Sequence, residues 1–272
     1  MTEFRIRREE TSMAIEMHRR LLARFGQSAL VLAGLIASAG LAQAEIIVIG
    51  SNVPRIAVGA LLDDGANLDI PAGARVRIIL PSGRTREIKG PFNSAVGELT
   101  RGEKRDEGLW TDVKRMVLRQ KRPDESVIGA VRSAAPARDA AERAAPPRPP
   151  AFSWSRVPID ADGDVCIERG ARLKLARATP GRPTDVTIVD RQSQSRAVAS
   201  FAVGSASADW PAEMSTEVGL YTVTTEDGTK YALRLRPISP LPAADETLRV
   251  LHIQRCLKQA EAWLAGQLMA GR

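Results

Sequence analysis

The sequence predicts a mainly β protein with α additions: a small N-terminal β meander with a helix, a linker, and a β-sandwich-like domain with a C-terminal helix packed on it. Three observations predict this. Past residue 44 most of the chain falls into short apolar, β-branched runs, closed by Gly, Pro, Asp or Ser at a spacing of roughly ten residues. Only two stretches, 107–121 and 245–269, place their apolar residues at the helical period. Between the strand-rich regions, SAAPARDAAERAAPPRPP at 133–150 has no large apolar residue and cannot bury a core, so it reads as a linker. The expected division is a signal segment at 1–44, a β-rich module at 45–132, the linker at 133–150 and a C-terminal β domain at 151–272.

The first segment reads as an export signal. Arg19, Arg20 and Arg24 form a positive region, and the 13 residues from Ala29 to Leu41 carry no charge. Ala42-Gln43-Ala44 then fits the small-x-small rule for signal peptidase, leaving Glu45 as the new N-terminus. A membrane span needs roughly 20 apolar residues, so no permanent anchor is expected. No Cys follows the run, which excludes a lipoprotein signal. MTEFRIRREETSMAIE carries four acidic residues, which such regions avoid, and Met17 gives a more ordinary start. The Arg19-Arg20 pair raises twin-arginine export, although His18 and Leu21-Leu22-Ala23 fit that motif poorly; the route stays open.

Removal of 44 residues from 272 leaves 228, enough for one large or two small domains. The whole chain has 39 Lys and Arg against 32 Asp and Glu, a net charge of +7. Six Arg and four acidic residues leave with the signal, so the exported part carries +5. These charges are scattered, with no basic block, which reads as solubility and not as nucleic-acid binding. The two cysteines, Cys166 and Cys256, both lie in the exported part. An even count in an oxidising compartment, with no C-x-x-C, predicts a structural disulfide.

In order along the chain, 45–50 (EIIVIG) is an apolar strand, 55–62 is mixed, and Asp63-Asp64-Gly65 turns it. Residues 67–71 are short. Residues 74–80 alternate cleanly, with Ala74, Val76, Ile78 and Leu80 on one face and Arg75 and Arg77 on the other. Pro81-Ser82-Gly83 turns the chain into a polar return at 84–89, the clearest hairpin in the sequence, and Gly90-Pro91 stops it. Residues 107–121 then place Leu109, Val113, Met116 and Val117 on one helical face, with Trp110 as a core residue beside them, and Arg122-Pro123 ends that helix. After the linker, strands are expected at 165–168, 172–177, 185–190, 197–203, 220–225 and 230–236. Glu226-Asp227-Gly228-Thr229 turns the last pair, and Pro237, Pro240 and Pro242 break the sheet. A single helix at 245–269, capped by Asp245, carries Leu248, Ile253, Cys256, Leu257, Ala260, Trp263, Leu264 and Leu268 in a stripe that drifts around its axis. It is expected to lie across the second sheet and bring Cys256 to Cys166.

Gly59-Ala60-Leu61-Leu62 and the run LDIPAGARVRIILPSGRTREIKGPF (68–92) resemble the FecR-type periplasmic β domain. The resemblance covers residues 56–92 and implies a short β domain outside the cytoplasm that senses or scaffolds partner proteins. The family's cytoplasmic anti-sigma part and membrane helix have no counterpart in this chain, so iron signalling is not carried over and no residue is transferred as functional.

Catalytic and metal motifs are scarce. His252 is the only histidine past residue 44, which excludes a multi-histidine zinc site; a surface or boundary position is expected for it. Asp160, Asp162 and Asp164 alternate like a calcium loop, but an EF-hand needs Gly and Glu where Val165 and Ala171 stand, so a polar turn is expected. Phosphate-binding glycine loops, G-x-S-x-G and H-E-x-x-H are absent. No catalytic residue, cofactor or metal is therefore expected. The sequence reads as an exported, periplasmic or secreted, non-enzymatic protein that binds or scaffolds an envelope protein or polysaccharide. The alternative is an envelope enzyme with an unrecognised active site, since scattered Ser, Lys and Asp leave one open. Partner identity and oligomeric state are not legible.

Overall fold

A computed structural model describes residues 45–121, 151–178 and 180–271. The expected signal segment, Ala42 and Ala44, and the linker 133–150 lie outside the described residues. The fold is β-rich with helical additions.

The first strand, β1 (Glu45–Ser51), is a run of four consecutive apolar residues, a pattern that suits a strand buried on both faces. It pairs antiparallel with β2 (Leu61–Asp63) on one side and β4 (Arg75–Ile79) on the other. β5 (Thr85–Lys89) completes the order β2-β1-β4-β5. β3 (Asn67–Ile70) leaves this sheet to pair with β6 (Phe92–Ala95), which follows Gly90-Pro91 directly. Ile46, Val48, Val76, Ile78, Leu68 and Ile70 close a small core between sheet and pair. The first helix, α1 (Val96–Thr100), follows β6, and α2 (Glu107–Lys121) matches the expected helix.

The C-terminal part is a sandwich. One sheet has the order β11-β10-β13-β14-β8, from β8 (Gly163–Glu168), β10 (Thr184–Asp190), β11 (Arg196–Phe201), β13 (Gly219–Thr224) and β14 (Lys230–Ile238). The other has the order β12-β9-β7, from β7 (Arg156–Pro158), β9 (Lys174–Ala176) and β12 (Ser207–Asp209). Val157, Leu175, Ile188, Phe201, Tyr221 and Leu235 lie in the core between them. Strand β14 runs through Pro237, where a break is expected. Its ladder with β13 ends at Leu235, and Pro237 pairs with Ile167 of β8 alone, so its missing N–H costs nothing on the β13 side.

The expected single C-terminal helix is two: α3 (Thr247–Ile253) and α4 (Leu257–Ala270). Arg255 between them sits at φ +62°. The Cys256 N–H donates to the Leu251 carbonyl (2.8 Å) and the Arg255 N–H to the His252 carbonyl (2.9 Å). That pair of bonds is a Schellman stop, with Arg255 in the position that glycine usually takes. Asp245 does not cap α3, whose N-cap is Glu246. Asp245 and Glu246 instead hold Arg84, beside the start of β5, at 3.0 and 2.8 Å.

Helices α2, α3 and α4 form a layer between the two β regions. Ile47, Ile49 and Ile79 on the outer face of the first sheet pack with Trp110 and Val117 of α2, Leu251 of α3, Leu264 of α4, and Cys166 of β8 in one buried cluster. The C-terminal helix thus covers the N-terminal sheet as well as the second one. At its far end the Gly271 carbonyl accepts from Ser51 N–H at 3.2 Å. A Cβ on Gly271 would lie 2.3 Å from the Ile49 carbonyl, so only glycine allows this approach.

Candidate functional site

Cys166 and Cys256 are bonded, with Cα atoms 5.8 Å apart, and both are fully buried. Alternation explains the position. Val165 and Ile167 point into the sandwich core, so Cys166 points out toward the helical layer, where the stop at Arg255 turns Cys256 to meet it. Strand β8 is a sheet edge, and Gln259 of α4 covers it. The Cys166 N–H donates to Gln259 Oε1 (2.7 Å), and Gln259 Nε2 donates to the Cys166 carbonyl (2.8 Å) and the Arg156 carbonyl (3.4 Å).

The other singled-out residues have structural partners. Trp110 is fully buried and donates its indole N–H to Glu45 Oε2 at 3.2 Å. Lys114 donates to the same oxygen at 2.9 Å; that bond, helped by Trp110 and Arg105, holds the Glu45 carboxyl below its usual range. His252 lies at the boundary, with Nε2 3.1 Å from Asp112 Oδ2, joining α3 to α2. Asp160 accepts from Ala178 N–H (3.1 Å) and Asp162 from Ala232 N–H (2.6 Å), while Asp164 pairs with Arg236 at 2.8 Å. Their carboxylates thus serve different neighbours. Among the described residues no cluster of three or more His, Cys, Asp or Glu could hold a metal ion.

One concavity among the described residues carried no signal in the sequence. A groove of about 750 Å³ runs between α2, the segment entering β7, the β7–β9 face, and α4. Its apolar lining comes from Met116 on α2, Phe152 and Pro158 near β7, Ala176 on β9, and Ala262, Ala265, Leu268 and Met269 on α4. Phe152 stands edge-on to Trp154, centroids 5.1 Å apart, which fixes that wall. Charges sit on the rim. Glu261 lies between Arg119 (3.6 Å) and Lys258 (3.3 Å). Arg156 donates to the Ala151 carbonyl at 3.0 Å and makes no ion pair among the described residues. A groove of this size, mostly apolar with a few rim charges, has the form of a ligand site.

No protein-family model matches this chain, and no curated protein or solved structure matches it significantly. The fold and groove therefore define the molecule by themselves: a disulfide-linked β-rich protein whose helical layer borders an apolar groove. Among the described residues no helix is long and apolar enough to cross a membrane.

Proposed function

We propose that this chain is an exported, periplasmic, non-enzymatic binding or scaffolding protein of the bacterial envelope, and that the groove is where it binds. The observation that carries this reading is that the groove is built from segments on both sides of the linker, with an apolar floor and a charged rim. Sites of that kind favour junctions between structural units. The buried disulfide supports an oxidising compartment, because such bonds are rare where thiols are kept reduced. The FecR-type resemblance of residues 56–92 adds the expectation of an envelope partner.

A photo-crosslinking residue placed at Met269, which is exposed at the groove, tests the binding reading in the native envelope; the same residue at Lys230, exposed at the start of β14, is the control. A discrete adduct at Met269 that is missing at Lys230 is expected. Equal labelling at both positions, or none at Met269, overturns the groove as the binding site.

A further inference from the structure

Given that the groove is a binding site, as proposed above, we infer that it takes a linear amphiphile: an aliphatic chain ending in a carboxylate or a phosphate. The argument starts from hydrogen bonding. A peptide laid along the groove would bring an N–H and a C=O with each residue, and each needs a partner once buried. The walls offer few. Both amide atoms of Gln259 are engaged by Cys166 and Arg156. Asp160 Oδ2 already accepts from Ala178 N–H. At the bordering strand β7, the Arg156 N–H donates to the Ser153 carbonyl, the Arg156 carbonyl accepts from Gln259, and Pro158 has no N–H. A hydrocarbon chain makes no such demand.

The lining points the same way. Ala262 and Ala265 on α4 and Ala176 on β9 all line the groove, and their small side chains leave room for a slender occupant. Met116 and Met269 supply unbranched thioethers that adapt to a chain without one fixed shape.

The rim supplies the complement to an anionic head. Arg119, Arg156 and Lys258 stand against Glu261 and Asp160, and Glu261 is shared by two of the three cations. Arg156 keeps guanidinium donors beyond the one bonded to Ala151, in the planar fork that suits a carboxylate or a phosphate. The apolar tail would lie along Ala262, Ala265 and Leu268 with the head at Arg156.

The test uses cis-parinaric acid, a fluorescent fatty acid, titrated into the purified exported chain below its micelle concentration. Saturable enhancement is expected, reversed by palmitate and by lysophosphatidate but not by inorganic phosphate; which of the two lipids competes better separates the head groups. Arg156→Glu, at the rim, should weaken binding by at least about tenfold, because it removes a charge-assisted hydrogen bond and sets a like charge against the head. Ala265→Trp should abolish it, with near-ultraviolet circular dichroism confirming an intact fold, and Lys230→Ala should leave it unchanged. Absence of saturable binding, equal binding of a neutral long-chain alcohol, or binding unmoved by both groove variants overturns the inference. A protein adduct at Met269 without parinaric binding would remove the amphiphile and leave the binding site standing; failure of both experiments would remove both.

Discussion

Gln259 occupies the place of a missing β-strand beside Cys166. Its side-chain amide accepts from the Cys166 N–H at 2.7 Å and donates to the Cys166 carbonyl at 2.8 Å, and the residue is almost fully buried. A sheet edge exposes unpaired backbone groups, and here one side chain satisfies both groups of one residue. Gln259→Ala should therefore leave two buried polar groups without partners, at about 1–3 kcal/mol each. Gln259→Glu should be no better at neutral pH, because a carboxylate can accept from the N–H but has nothing to donate to the carbonyl. Urea unfolding midpoints measure both; a Gln259→Ala midpoint equal to wild type would show that the amide pairing is dispensable.

The disulfide beside it closes a loop between residues 90 positions apart. The chain-entropy account gives it roughly 4–5 kcal/mol, which is large against a total stability of about 5–15 kcal/mol. Reduction should lower the melting temperature sharply and make the 254–257 junction sensitive to proteases. Titration of unfolded, unreduced protein with Ellman's reagent should find no thiol; two thiols per chain would contradict the bridge.

Arg255 holds a left-handed backbone conformation that non-glycine residues avoid at a cost of about 1–2 kcal/mol. Glycine is preferred at this point of a helix stop. Arg255→Gly is expected to stabilise the protein, by about 1 kcal/mol after the extra chain entropy of glycine is allowed for. A lower unfolding midpoint would mean that the Arg255 side chain matters more than its backbone.

The buried cluster that contains Ile47, Ile79, Val117, Cys166 and Leu264 joins segments on both sides of residues 122–150. A protease site inserted within 133–150 should therefore yield two pieces that still elute together and unfold in a single calorimetric transition. Pieces that separate, each with a transition of its own, would establish two independently stable modules.

Glu45 supplies one pH dependence that a single substitution can isolate. Lys114, with Trp110 and Arg105, lowers its carboxyl below the ordinary value of 4.5. A carboxyl whose pKa falls on folding adds stability that is present above the unfolded value and lost as pH drops through the folded one. Wild type should thus lose stability more steeply below about pH 4.5 than Glu45→Gln, and the two curves should converge in acid. Parallel curves across that range would show that the carboxylate contributes nothing.

Much of the fold was legible where one local pattern decided the outcome. The alternation of Val76 and Ile78, the apolar run at 46–49 and the spacing of Leu109, Val113 and Met116 each led to the right element. The bonded cysteines were expected from their even count and from the export that the sequence predicts. What was missed depends on partners distant in sequence. Strands β7 and β12 are three residues each, defined by what they pair with and not by their own composition. The drift of the stripe along 245–269 was the trace of a break, because the stop at Arg255 resets the helical phase between Leu251 and Ala260. The groove had no signature at all: Met116, Arg156, Ala176 and Ala265 are ordinary residues until the fold brings them together.

The bond between Ser51 and Gly271 sets an order of events. The face of β1 that carries Ile47 and Ile49 is not fully covered until 257–270 has been made, because α4 packs over it together with α2 and α3. A chain built from its N-terminus carries that face only partly covered until α4 follows, a condition under which wrong associations compete with folding. Chains that stop short of α4 should accumulate as aggregates, and a factor that shields residues 46–49 in transit would raise the yield.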